Sequence, residues 1–179
     1  MINQTESHPD GYPKLTESRV IIRFQDCDPL QHLNNSKYFD YFFNSRSDQV
    51  SQLYGYNVAD IFRQFKSGWV AYNHNISYIR PALPGEWVRI YTRLLAFSDN
   101  TQYVEYYMTD DHRTHIKCLL WSTMVYVDVI SGKRIVHQPE ITEALQRMVD
   151  FDHPYDIQHF SNPSIYHRLK ELKTELAPG

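Results

Sequence analysis

The chain is poor in the residues that staple small domains. Its two cysteines, Cys27 and Cys118, form no CxxC pair among 179 residues. A disulfide scaffold or a thiolate metal cluster is thereby excluded, and the reducing cytoplasm is the expected compartment. No apolar run approaches the ~20 residues that cross a bilayer, so no membrane association is expected. The opening MINQTESHPDGYPK lacks the basic start and apolar middle of a secretion signal. Neither sign of charge dominates, because 18 Lys and Arg against 21 Asp and Glu leave a formal charge of −3. A nucleic-acid partner demands a basic face, and none is expected here. Glycine is scarce at six residues, and the chain shows neither an internal repeat nor a low-complexity tract.

Aromatic residues are what the chain has in excess: 14 Tyr, 9 Phe and 3 Trp, or 15%. A domain of this length buries roughly two-thirds of its unfolded surface, so its core needs no disulfide or metal staple. Residues 1–17 are polar and carry Pro9, Gly11 and Pro13, which predicts a flexible leader. RVIIRFQ (19–25) is rich in β-branched and aromatic residues and reads as a strand. A loop, DCDPLQHLNN (26–35), leaves its end at Pro29. Phe39, Phe42, Phe43, Val50, Leu53 and Tyr54 then recur at three- and four-residue steps, predicting a helix with an enclosed apolar stripe. Asn34, Asn35 or Ser36 can cap its start and Gly55 its end.

Residues 69–81, 86–97, 101–108 and 115–129 alternate as strands do. In the second, Val88, Ile90, Thr92 and Leu94 share one face, and Arg89, Tyr91 and Arg93 the other. The links PALPG, FSDN and DDHRT are short, which predicts antiparallel hairpins between consecutive strands. Pro139 opens a helix over 139–149, and a further short helix is expected at 163–174. The fold class is α+β: one antiparallel sheet, with one buried face, covers one long helix. The domain boundaries expected are 18–150, with a C-terminal extension at 151–179.

The densest polar cluster is the loop beside that helix. Asp26 and Asp28 point to one side of an extended segment and Cys27 to the other. His32, Asn34 and Asn35 follow, leading into the first helical turn, whose free N–H groups suit a developing oxyanion. A carboxylate there can act as base or nucleophile. On the residues alone, Asp28-Pro29 reads equally well as a turn, with Asn34 and Asn35 as caps.

RFQDCDPLQHLNNSKYFDYF (23–42) resembles the signature of the hotdog-fold acyl-CoA thioesterases of the 4-hydroxybenzoyl-CoA thioesterase family. Ile-x-Tyr-x-Arg-Pro at 76–81 and Gly-Glu at 85–86 resemble its central segment, and the likeness spans residues 19–149. The resemblance implies a hotdog fold and hydrolysis of an acyl-CoA, or an acyl carrier protein thioester, with no metal and no cofactor. Asp28 matches the catalytic carboxylate, His32 and Asn34 hold substrate or water, and the Asn35 N–H polarises the thioester carbonyl. Tyr38 and Arg80 are the candidate substrate-binding residues, with Arg80 toward the phosphates of coenzyme A. A homodimer or homotetramer is also implied. Departures are Gln31 where many relatives carry Gly, Leu30 where plant acyl-carrier thioesterases carry Asn, and Leu33 for Val. Leu30 disfavours a three-residue Asp-Asn-His mechanism and favours Asp28 acting with the helix dipole. The same departures keep a non-catalytic acyl-thioester binding protein as the alternative function.

Other readings are weaker. Cys27 as a thiolate is opposed by its two flanking carboxylates, and a structural thiol is expected there and at Cys118. His112 and His115 beside Asp110 and Asp111 read as a solvated turn rather than a metal site. His153, His159 and His167 read as surface residues, and Asp40 as a helix-dipole partner or minor second acid. The strand arginines read as solvated or paired across strands.

Overall fold

The structure, a computed structural model, describes residues 11–152 and 165–176. Its elements run β1 (Thr16–Ile21), α1 (Lys37–Tyr54), α2 (Val58–Phe65), β2 (Ser67–Tyr78), β3 (Trp87–Phe97), β4 (Thr101–Asp110), β5 (Ile116–Asp128), α3 (Pro139–Met148) and α4 (Ile165–Glu175). The five strands form one antiparallel sheet in the order β1-β3-β4-β5-β2. The sheet wraps α1, which is the expected α+β hotdog arrangement.

The 18 residues of α1 end where Gly55 adopts φ 70°, the left-handed cap expected of it. Tyr38 and Phe42 enter the core with Val88, Ile90, Leu94, Val104, Tyr106 and Leu120 from the inner sheet face. The buried stripe of α1 is not wholly apolar, since Ser45 and Gln49 lie in it. Gln49 is satisfied there: its carboxamide oxygen accepts the hydroxyls of Thr16 and Thr92, both at 2.6 Å, and its NH₂ donates to Ser18 Oγ at 2.9 Å. This network fastens α1 to β1 and β3, so Gln49 registers the helix on the sheet.

Three expectations need correction. The link after β2 does not close a hairpin, because β2 pairs with β5 on the far edge. Pro81 and Pro84 offer no N–H there, and segment 79–86 instead crosses to β3 by backbone bonds from Ile79 and Arg80 to Lys117 O and from Leu33 to Ala82 O. The links after β3 and β4 are hairpins as expected. Second, α2 stands where no element was expected. Asn57 caps it by accepting the Ala59 N–H at 2.8 Å, and Ile61 is buried beneath it. Third, the sheet has two buried faces. Tyr91, Tyr107, Leu119 and Trp121 on the outer face pack with Leu172 of α4.

That outer face holds an ion cluster. Glu105 is fully buried and receives Arg93 Nε at 2.9 Å, Arg168 Nε and Nη2 at 2.8 Å, and Trp121 Nε1 at 2.9 Å. Arg93 also reaches Asp150 at 3.3 Å and Glu175 at 2.8 Å. Of the two readings left open for the strand arginines, solvated or paired across strands, Arg93 takes the second with Glu105, and its burial under α4 was not expected. β1 begins at Thr16, inside the segment expected to be a leader. Residues 1–10 of that leader and the histidines at 153 and 159 lie outside the described residues.

Candidate active site

The loop after β1 is built from backbone bonds, then from its own side chains. A single 3-10 turn at Phe24–Asp26 leads into a bridge between Cys27 and Leu33. The Asp28 N–H donates to His32 O at 2.7 Å, and the Gln31 N–H donates to Asp28 O at 2.9 Å. Asp28 Oδ1 accepts the Leu30 N–H at 2.9 Å and the His32 N–H at 3.2 Å. So Asp28 does support a turn, but through one carboxylate oxygen. Among the described residues Oδ2 has no hydrogen-bond partner. Gln31 closes the turn at φ 61°, the left-handed region. This is a conformation that glycine adopts without steric cost.

Leu33 is buried and anchors the loop in the core, and its N–H donates to Ala82 O at 2.8 Å. Asn34 closes the turn that leads into α1: its Oδ1 accepts the Ser36 N–H at 3.0 Å and the Ser36 hydroxyl at 2.9 Å, and Ser36, the N-cap residue, makes no side-chain cap bond of its own. The next N–H, that of Asn35, has no partner among the described residues. It lies at the positive end of an 18-residue helix, with its side chain exposed. The imidazole of His32, half-buried on the same loop, makes no hydrogen bond to a described residue. The fold thus gathers Asp28, His32, Asn34 and Asn35 on one short loop at the mouth of α1.

Tyr38 and Arg80 are placed differently. Tyr38 is 2% exposed, its hydroxyl accepts the Ala82 N–H at 3.3 Å, and burial pushes its pKa up to about 12. It is a wall of the core below the loop. Arg80 is exposed on the crossing segment beside the loop, and its guanidinium forms no ion pair among the described residues. Asp40 pairs with Lys37 at 2.9 Å on the helix surface.

Two tyrosines escaped the sequence reading. The Tyr41 hydroxyl accepts the Arg23 N–H at 2.8 Å and donates to Asp26 Oδ2 at 2.9 Å, tying α1 to the loop. Burial first, then the Asp26 carboxylate, push its pKa up to about 12. Its signal was its place one turn after Lys37, on the helix face that looks at the loop. The Tyr78 hydroxyl donates to Asn35 O at 3.0 Å, and its ring meets Tyr38 edge-on at 5.2 Å. Strand alternation from Ile76 was its signal.

Both thiols are structural. Cys27 is half-buried and donates to Arg23 O at 3.5 Å, and burial with the charges of Asp26 and Asp28 raises its pKa. Cys118 is buried in the sheet and burial pushes its thiol up. His115 bonds to Asp110 at the β4–β5 turn, and no group of metal-ligating side chains is gathered among the described residues. No described helix is long and apolar enough to cross a membrane.

A cavity of about 220 Å³ lies further along α1, enclosed by α2, β2, β4 and α3, and mostly apolar. A more polar cleft of about 600 Å³ runs on the other side of α1, between Arg19, Arg23, Asp26, Asp40 and Trp87.

Residues 22–145 match the pattern of the thioesterase-like superfamily. The chain belongs to that superfamily. A curated relative of this thioesterase-like protein is the long-chain acyl-CoA thioesterase FadM of Escherichia coli (strain K12). The two are 23% identical over 139 residues, which cover 74% of this chain and 98% of FadM. Among solved structures, the DHNA-CoA thioesterase of Staphylococcus aureus is similar with a TM-score of 0.67 at 16% identity, over 92% of this chain and 97% of that one. Slr0204, a 1,4-dihydroxy-2-naphthoyl-CoA thioesterase from Synechocystis, gives 0.66 at 13% identity, over 78% and 99%. These likenesses show the hotdog fold. By family, the thioesterase-like protein is a thioester hydrolase, and α4 lies beyond the segment that the family pattern matches.

Proposed function

We propose that the protein hydrolyses the thioester of an acyl-CoA at the 26–35 loop, with Asp28 and the Asn35 N–H as the reacting pair. The observation that carries this is their shared incompleteness: Asp28 Oδ2 and the Asn35 N–H both lack a partner among the described residues, on one loop at a helix N-terminus. Asp28 takes the proton of a water that attacks the carbonyl carbon and returns it to the sulfur as the C–S bond breaks. Alternatively it attacks that carbon itself, expelling the thiolate to be protonated by water and forming an anhydride that a water then hydrolyses. The Asn35 N–H receives the oxyanion, a type of contact worth about 3–4 kcal/mol. His32 and Asn34 hold the substrate or the water, and coenzyme A leaves as its thiol. Exposed Arg80 is the candidate partner for the phosphates of the departing coenzyme A. This assigns the chain to the branch that carries Asp-x-Asp and His-x-Asn-Asn.

The assembly that fits is a homodimer, or a homotetramer built from it, in the cytoplasm. β2 is an edge strand whose Val70 and Tyr72 stand exposed, and pairing with a second copy covers such an edge. Release of free thiol from a panel of acyl-CoAs tests the function. Asp28→Asn keeps the oxygen that supports the turn and removes the charge, so kcat is expected to fall about 100-fold or more. Equal turnover by wild type and Asp28→Asn across the panel overturns the proposal. Binding of acyl-CoA by wild type without turnover replaces it with the non-catalytic binding protein.

A further inference from the structure

The free N–H of Asn35 can receive an oxyanion only if it is aimed, and two peptide planes meet at that residue. The first carries the Asn35 N–H itself, and its carbonyl, Asn34 O, accepts the Lys37 N–H at 2.8 Å. Because a peptide unit is planar, that bond also sets the direction of the N–H. The second plane joins Asn35 to Ser36 and is held at both edges. Its N–H donates to Asn34 Oδ1 at 3.0 Å, and its carbonyl accepts the Tyr78 hydroxyl at 3.0 Å. Of these three bonds, only that of Tyr78 comes from the sheet. Tyr78 is the last residue of β2, in register with Cys118 of β5. Directly after it the Ile79 and Arg80 N–H groups both donate to Lys117 O, at 2.8 and 3.0 Å. Its ring meets the buried Tyr38 edge-on, with centroids 5.2 Å apart. Burial, then Cys118, raise the pKa of its phenol, which stays protonated and remains a donor.

We propose that Tyr78 is the positioning residue of the oxyanion site, fixing from the sheet both the Asn35 N–H and the Asn34 carboxamide. The proposal rests on the thioester carbonyl lying at the Asn35 N–H. The groups form one chain, from the Tyr78 O–H to the Asn35 carbonyl, then from the Ser36 N–H to Asn34 Oδ1. Hydrogen bonds linked through a single peptide polarise one another and strengthen together. With Oδ1 engaged, the side chain of Asn34 offers its NH₂ to substrate or water, and that group has no partner among the described residues. In this role Tyr78 touches neither, and it transfers no proton. Removing its hydroxyl frees the Asn35 carbonyl, and the plane on that side of the oxyanion donor can then turn. Loss of an oxyanion donor outright costs about 100- to 1,000-fold in kcat. A donor that is loosened but still present costs less, about tenfold.

The test measures kcat and KM of wild type and Tyr78→Phe from pH 5 to pH 9, with an acyl-CoA that wild type turns over. Tyr78→Phe keeps the ring against Tyr38, and thermal unfolding confirms that the variant is folded. Its kcat is expected to fall about tenfold while KM changes less than about twofold, because the contact matters only once the oxyanion forms. The pH profile of kcat/KM keeps its shape, since the phenol transfers no proton. Asn34→Ala and the double variant Tyr78→Phe/Asn34→Ala read the chain itself. The double variant should lose less than the product of the two single losses, because both act on one peptide. Asp28-dependent turnover with kcat unchanged in Tyr78→Phe overturns the positioning role and leaves the hydrolase standing. A loss confined to KM, a missing limb of the pH profile or multiplicative losses in the double variant overturns it too. Turnover that Asp28→Asn does not affect overturns the reading beneath it, and the positioning role with it.

Discussion

Arg168 on α4 grips Glu105 on β4 with two hydrogen bonds of 2.8 Å, from Nε and Nη2 to the two carboxylate oxygens. The carboxylate has no exposure to solvent. Burial alone would raise its pKa, but the bonds and charge of Arg168, joined by Arg93 and Trp121, hold it below the usual range. A helix beyond the family-matched segment thus completes the charge balance of the sheet it covers.

Breaking that pair is expected to be costly, because Glu105 stays buried when its partner goes. Arg168→Ala should destabilise the protein by about 3–5 kcal/mol, measured by urea unfolding. Adding Glu105→Gln should recover part of the loss. Additive losses in the double-mutant cycle would mean that the pair is not coupled.

Acid should weaken the fold in two stages. Burial lowers the pKa of His74 and His137, although Ser98 and Asp99 pull His137 back upward. His137 Nε2 accepts the Trp69 indole N–H at 3.1 Å, which requires the neutral ring. Below about pH 6.5 the unfolded chain binds protons that the folded chain refuses, so stability falls as pH drops. The second stage begins below about pH 4.5, where Glu105 and Asp110 are protonated more readily in the unfolded chain. Burial opposes the Asp110 shift, but hydrogen bonds from Thr114 and His115 hold it down at about 2. Unfolding midpoints from pH 8 to pH 2 check this, and a flat profile from pH 7 to pH 5 would exclude the first stage.

Tyr41→Phe removes one hydroxyl that serves both the Arg23 N–H and Asp26. A loss of about 1–2 kcal/mol is expected. Because the same hydroxyl positions the loop, kcat should fall while KM moves little. A change confined to stability would show that the loop keeps its shape without Tyr41.

Gln31→Gly should stabilise the protein. At φ 61° a side chain costs about 1 kcal/mol, offset in part by the greater freedom of glycine in the unfolded chain. A gain of about 0.5 kcal/mol is expected, read from the unfolding midpoint. Destabilisation would mean that the Gln31 side chain makes a contact that outweighs its backbone strain.

Much of this is legible in the amino-acid sequence. The recurrence of Phe39, Phe42 and Phe43 placed α1, and Gly55 ended it. Asp28 through Asn35 stood out as one loop because polar groups crowd a helix start. Tyr41 and Tyr78 were less visible, since their roles depend on which backbone atoms come opposite their hydroxyls. Gln49 was invisible for a related reason: a polar residue on a buried stripe is explained only by the two threonines that meet it from other strands.

From sequence alone came α1 with its Gly55 end, the long strands, α3 and the site loop, because helical and strand periods, turn chemistry and capping act over a few residues; α2 did not. Tertiary structure alone decided that β2 joins β5 instead of β3, that Arg93 and Glu105 are buried, and that an apolar cavity lies along α1. Each of these depends on surfaces far apart in sequence meeting as the sheet curls around its helix. The pattern of a strand tells which side chains share a face, and only the closed sheet tells what that face will touch.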